Sequence, residues 1–261
     1  MIHPQGLEGH LYDWENALTL DRQNLDIAFY RQWLSQFPSN AQVLEFGCGT
    51  GRISLPLAQA GLTLTAADIS RDRLDVARSL RSHPPNLSYV WGDMRNFGNE
   101  MAYDAVLIPY STFLLLSSES DRLACLHCLA RILKPAGKAV VDLSPNFLSH
   151  PPRLGHPELE GFCEPLAAQV ALTVDTFQDY AQQITTFHKH YQIAPVSSQP
   201  FSFDVTEVWH SIKEIEMRWY LEQTPLRLES LLGTYTWDPL RVAGAYQTSA
   251  YKHLYILNKP K

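Results

Sequence analysis

The 261 residues are 45% apolar and 18% charged, the balance of a folded globular chain rather than a disordered one. A net charge of −6 with no run of Lys or Arg leaves no basic stripe to displace counterions, so no nucleic-acid partner is expected. No apolar run approaches the roughly 18 residues of a membrane span, the N-terminus lacks a secretory leader pattern, and four scattered cysteines suit a reduced, cytoplasmic setting.

In chain order, residues 23–37 place Leu25, Phe29, Trp33 and Phe37 at helical spacing before Pro38 stops the run. Gln42–Phe46 reads as a strand entering Gly47-Cys48-Gly49-Thr50-Gly51, and a helix follows to Gly61. Leu62–Ala67 is a second strand ending at Asp68, and Ser70 caps the next helix. Leu87–Trp91 and Tyr103–Ile108 are further strands. A helix from Glu119 to Leu133 then closes at Lys134-Pro135-Ala136-Gly137 before a fifth strand, Lys138–Leu143. Five near-continuous apolar strands alternating with helices predict a parallel sheet covered on both faces.

The pattern then changes. Residues 147–160, rich in Pro, His and Gly, read as a loop; three runs with period-two alternation follow, Val170 to Thr176, Phe187 to Ile193 and a long one from Phe201 to Leu221, as in an antiparallel sheet with one exposed face. Thr224-Pro225 predicts a helix carrying Leu228, Leu231 and Leu232 to Gly233, and residues 240–258 predict a terminal hairpin. Three segments result: a core over 1–146, an inserted antiparallel β lid over 147–221, and a C-terminal helix and hairpin over 222–261 that complete the core sheet.

Strand, glycine loop and helix together let backbone N–H groups approach a polar ligand at a helix N-terminus, and Asp68 stands where a ribose-binding carboxylate is expected. A dinucleotide fingerprint would place its third glycine at position 52, which is Arg52. Glu45, just before the loop, would repel a pyrophosphate and attract a ligand bearing a sulfonium and an ammonium. The charge placement therefore favours S-adenosylmethionine over NAD.

Val43-Leu-Glu-Phe-Gly-Cys-Gly-Thr-Gly-Arg52, Asp68, Trp91-Gly-Asp-Met94 and Arg131-Ile-Leu-Lys-Pro-Ala-Gly137 resemble the motifs of class I S-adenosylmethionine-dependent methyltransferases. The layout, with Tyr12-Asp13 near the start, is similar to that of small-molecule enzymes acting on glycine or amino sugars. The resemblance implies an α/β fold: a Rossmann-like, doubly wound seven-stranded sheet with its last strand antiparallel, carrying the β lid. It implies that Glu45, Gly47 and Gly49 line the methionine moiety of the cofactor, that Asp68 and Ile69 meet ribose and adenine, and that Asp93 and Met94 lie on the adenine. Ile108, Pro109 and Tyr110 would lie under the sulfur, with Tyr12 and Tyr30 approaching the methyl group. Tyr12 and Tyr110 are thus the catalytic candidates and Tyr30 a cofactor contact, with ordinary aromatic packing the competing reading for each.

Other chemistry-bearing residues are read as structural. Cys125-Leu-His-Cys128 lacks a second cysteine pair and belongs to an amphipathic helix, so no metal is expected. His188 and His190 share one strand face, most simply a solvated one. The stretch after the fourth strand, Thr112–Leu116, carries no histidine, which leans the reading towards N-methylation of a small-molecule acceptor, or O-methylation with a lid base from His150, His188, His190 or His210. The alternatives are an NAD-dependent oxidoreductase and a non-catalytic nucleoside- or partner-binding module. The sequence leaves open whether the lid covers the site, pairs with a second subunit as a homodimer, or both.

Overall fold

The computed structural model describes residues 6–19, 24–80, 84–144, 153–237, 241–242, 245–246 and 252–261. Strands β1 (Gln42–Phe46), β2 (Thr63–Asp68), β3 (Leu87–Trp91), β4 (Tyr103–Ile108) and β5 (Leu133–Leu143) run parallel. With β10 (Arg227–Leu232) and β13 (His253–Asn258) they form one sheet in the order β10-β13-β5-β4-β1-β2-β3. The last strand, β13, lies antiparallel to both β5 and β10. The expected doubly wound sheet with a reversed final strand is therefore present.

Alternation along the buried strands feeds two cores. Leu44, Phe46, Val106, Ile108 and Val141 face helices α5 (Glu119–Ile132) and α6 (Glu214–Glu222). Val43, Leu107, Val140 and Ile256 face α2 (Leu25–Leu34), α3 (Ser54–Gln59) and α4 (Arg71–Leu80). Burying such side chains is the main stabilising term, about 1.5–3 kcal/mol each. Cys125 and Cys128 are buried free thiols on α5, in keeping with their reading as core residues.

The insertion is a four-stranded antiparallel meander: β6 (Arg153–Cys163), β7 (Ala168–Asp179), β8 (Ile184–Pro195) and β9 (Phe201–His210). Its inner face, with Val170, Leu172, Tyr191 and Ile193, packs on Leu7, Leu11 and Trp14 of α1 (Leu7–Thr19) to make a third core. Helix α1 also packs along α4: the Gly9 amide donates to the Asp72 carboxylate at 2.9 Å, and Arg73 pairs with Glu8 at 2.7 Å. The N-terminal helix is thereby wedged between core and lid.

Three expectations at the element level are corrected. Residues 153–160, taken as loop, belong to β6; Pro157 is accommodated because β6 is an edge strand whose pairing shifts register on both sides of His156-Pro157. The chain from Phe201 to Leu221 is not one long strand, since β9 ends at His210 and α6 buries Met217, Tyr220 and Leu221 in the main core. The helix expected after Thr224-Pro225 is instead strand β10, because Leu228, Leu231 and Leu232 pair with Leu257, Tyr255 and Leu254 of β13. The first arm of the expected terminal hairpin lies mostly outside the described residues. Only a short ladder, β11 (Arg241–Val242) with β12 (Ala245–Tyr246), is described there.

Candidate functional site

Strand β1 sits between β2 and β4, so the connections leave it in opposite directions and open a crevice at the strands' carboxyl ends, where open α/β sheets bind ligands. A cavity of about 1010 Å³ occupies that crevice. Its floor comes from Gly47, Asp68, Ile69, Asp93, Met94 and Tyr110, one wall from Tyr12, Glu15, Asn16 and Thr19 of α1, and its roof from the inner lid face. The α1 residues recur at three-to-four spacing and so share one helix face.

The glycine loop is shaped for close approach. Gly47 and Gly49 hold φ of +69° and +56°, and a Cβ at these positions would come within 2.3 Å of Thr112 and 2.8 Å of the Tyr12 ring. Asp68 is oriented by two backbone donors, Gly49 N–H to Oδ2 and Ser70 N–H to Oδ1, both at 2.7 Å. Each carboxylate oxygen keeps further lone pairs for ligand hydroxyls. Ile69 beside it is 59% exposed although apolar, its carbonyl held by the Trp91 indole N–H at 3.0 Å. An exposed isoleucine at the floor of a cavity is a surface suited to covering a flat ring.

Of the residues singled out in the sequence, the structure brings Tyr12, Gly47, Asp68, Ile69, Asp93, Met94 and Tyr110 to the cavity. Five are not among its lining, the buried Pro109 being one of them. Gly49 is covered by the Tyr12 ring, and Ile108 is fully buried in the sheet core. Tyr30, also fully buried, donates its hydroxyl to Asp142 at 3.0 Å, which corrects the expectation that it reaches a transferred group. Glu45 lies behind the loop, buried, with Oε2 unpartnered. Burial pushes its carboxyl up to about 7, against the pull of the Ser54 hydroxyl and the Arg52 guanidinium. Glu45 thus carries less charge at neutral pH than the sequence argument assumed.

Tyr110 and Ser111 occupy consecutive left-handed positions, φ +52° and +63°, a conformation that costs about 1–2 kcal/mol per non-glycine residue. Asp142, fully buried on β5, holds this turn: the Tyr110 amide donates to its carboxylate at 3.2 Å and the Ser111 amide to its carbonyl at 2.9 Å. Tyr30, Tyr235 and Lys252 converge on the same carboxylate. Burial pushes the phenol of Tyr110 up to about 12 and raises that of Tyr12, where the Arg73 guanidinium 4.0 Å over the ring works in the opposite sense. Both are neutral phenols near pH 7, able to shape the site and hydrogen-bond but not to act as ready bases.

The lid supplies what sequence reasoning missed. Lys189 reaches Glu15 Oε1 at 2.9 Å and Glu207 Oε1 at 3.1 Å, and the Tyr191 hydroxyl donates to Glu15 Oε2 at 2.8 Å. Lys189 and Glu207 stand at inward positions of β8 and β9, and Glu15 lies three residues after Tyr12. Those spacings signal that each side chain faces inward, and not that the three meet. His188 and His190 point the other way, to Thr206 and Asp204 on the exposed face. His210, whose imidazole is pushed down by burial and then by Arg122, does not line the cavity. No histidine lines it among the described residues, and His150 lies outside them. The wall carries six carboxylates (Glu15, Asp68, Asp93, Asp121, Glu158, Glu207) and three cations (Arg73, Arg95, Lys189), a formal excess of negative charge.

Residues 43–137 match the family model described as "Methyltransferase domain". Over 100 residues the chain is 38% identical to a cypemycin N-terminal methyltransferase from Streptomyces sp, covering 38% of this chain and 40% of that protein. The chain thus spans less than half the length of that curated relative. Among solved structures, a sugar N-methyltransferase from Streptoalloteichus sp ATCC 53650 superposes with a TM-score of 0.73 at 16% identity, covering 96% of this chain and 93% of that one. A SAM-bound amino pentose methyltransferase from Micromonospora echinaspora superposes with a TM-score of 0.68 at 16% identity, covering 99% and 98%. At these identities the likeness is one of fold, and it extends through the lid. The methyltransferase domain recognised in the sequence is borne out over residues 43–137.

Proposed function

We propose that this chain is an S-adenosylmethionine-dependent methyltransferase whose acceptor is the nitrogen of a small amine. The observation that carries the proposal is the composition of the cavity at the switch point: Asp68 is fixed by two amides above a positive-φ glycine loop, and the walls hold an excess of carboxylates without a histidine. A pyrophosphate would meet like charge there; a sulfonium and an amine would meet opposite charge.

The residues present fit the group. Asp68 would take the ribose hydroxyls, Ile69 and Met94 the faces of the adenine with Asp93 at its edge, and the amides of the 47–49 turn the amino-acid end. When bound, the cofactor supplies a methyl group on a positively charged sulfur, already an excellent leaving group. The chain's task is then orientation and exclusion of water, which can contribute much of the rate. Tyr12 and Tyr110 bound the reaction space between floor and lid. Neutral phenols there can orient an amine lone pair, whereas a hydroxyl acceptor would need a base.

The curated relative that modifies an N-terminus and the two sugar-modifying structures support a nitrogen acceptor of modest size. The inner lid face is occupied by α1 and the cavity, which supports a lid that covers the site of its own chain; a homodimer would use the lid's outer face.

The test is product analysis with methyl-labelled S-adenosylmethionine and matched panels of small amines and alcohols. Label on nitrogen, with S-adenosylhomocysteine released in equal amount, is the expected result. Label on oxygen alone would overturn the nitrogen assignment.

A further inference from the structure

Glu15, Lys189 and Glu207 are engaged with one another and with the Tyr191 hydroxyl, so they fasten the lid to α1 and leave recognition of an acceptor to other side chains. The inner lid face changes character along its strands. Leu172, Tyr191 and Phe203 stand opposite one another on β7, β8 and β9 and pack on α1. Further along β8, beyond Lys189, Phe187 lines the cavity and packs edge to face on Trp209 of β9, ring centres 5.7 Å apart.

Beside β9 lies the 3-10 turn Thr112–Leu115 that follows β4 and the Tyr110 turn. Phe113, Leu114 and Leu116 are buried, whereas Leu115 is 47% exposed and lines the same cavity. Holding a leucine open forgoes about 25 cal/mol for each Å² of apolar surface left in water. Such a side chain inside a concave site, next to a pair of rings, is a surface built for a ligand to cover. There is room for one. A cavity of about 1010 Å³ reaches the upper end of the roughly 300–1,000 Å³ usual for a single drug-sized ligand, so a donor over Asp68 and Ile69 leaves space under the lid for a second body.

We infer that Leu115, Phe187 and Trp209 form the wall that holds the body of the acceptor, so that the acceptor is an amine borne on an apolar ring system rather than on a sugar. This rests on the methyltransferase reading and deepens it, by naming the acceptor's chemical class and the residues that select it. The wall works by ring packing and exclusion of water, not by charge. An amine held in this way binds uncharged and keeps the lone pair that the methyl requires.

Two adenosyl probes test it without knowledge of the acceptor. Both are aza analogues of S-adenosylmethionine, with nitrogen in place of sulfur; where the methyl stood, one carries a 2-phenylethyl arm and the other a 2,3-dihydroxypropyl arm. Calorimetry on the wild-type chain should show the phenyl probe binding at least tenfold tighter than the hydroxylated one, a difference of about 1.4 kcal/mol. Leu115→Asn, at an exposed position outside the three cores, and Phe187→Thr, on a lid strand, should each lower that ratio at least threefold while S-adenosylhomocysteine affinity holds. A wild-type ratio of one or less, or a ratio unchanged in either variant, would overturn the apolar wall and leave the donor site standing. Failure of S-adenosylhomocysteine itself to bind the wild-type chain would instead remove the methyltransferase reading beneath it.

Discussion

Glu45 and Asp68 end neighbouring strands, yet the fold treats them oppositely: Asp68 lines the cavity on two amide donors, and Glu45 is buried behind the loop with one oxygen unpartnered. Folding raises the Glu45 carboxyl from its ordinary 4.5 to about 7. The folded state therefore binds this proton more tightly than the unfolded one. The stabilising contribution is complete below about 4.5 and is lost as pH rises through about 7. Glu45→Gln, neutral throughout, should melt several degrees above wild type at pH 8, and the gap should close towards pH 4.5. A pH-independent difference in melting scans would contradict the assignment. Asp68→Asn keeps the size but sets an NH2 against one of the two amides that Asp68 accepts, so S-adenosylhomocysteine affinity should fall at least tenfold in calorimetry and the melting temperature should fall with it. Ala136 sits at φ +63° in the turn before the main run of β5, where the related motif has glycine. Ala136→Gly should stabilise the chain by about 1 kcal/mol in denaturant titrations.

Among the elements, α1 governs the site because it touches everything that must come together. It carries Tyr12 and Glu15 into the cavity, packs on the lid core, and lies along α4. That last contact is close: a Cβ on Gly9 would meet Val76 Cγ2 at 2.7 Å and the Asp72 carbonyl oxygen at 3.0 Å. Gly9→Ala should push α1 outward, at a cost of about 1–3 kcal/mol, and weaken S-adenosylhomocysteine binding; an unchanged melt and unchanged affinity would show that α1 does not fix the site. Elements were legible where one period dominated. The parallel strands and α5 emerged from their apolar runs and caps. Leu226, Leu228, Leu231 and Leu232 fit a helical face as well as they fit a strand, and only the pairing of β10 with β13, more than twenty residues on, decides between them. Likewise β6, with Pro157 and Gly155, lacks any local strand signal and is held in place by β7.

For the molecule as a whole, the sheet order and the reversed final strand were legible because the glycine loop, Asp68 and the alternation of strands and helices all point to one topology. The floor of the cavity came with them, since its residues end strands whose positions the topology dictates. The lid side of the cavity was not legible. It is assembled from α1 and two lid strands, Glu15 lying well over a hundred residues from Lys189 and Glu207, and no local spacing reveals that they meet. The carboxylates it adds agree with the proposed reading, in which a cationic sulfur and an amine meet opposite charge.

Equilibrium binding of S-adenosylmethionine and of NAD to the purified chain, measured side by side by calorimetry at one salt concentration, tests that claim most directly. The structure predicts one molecule of S-adenosylmethionine bound per chain and no heat from NAD. Saturable NAD binding with S-adenosylmethionine ignored would contradict it.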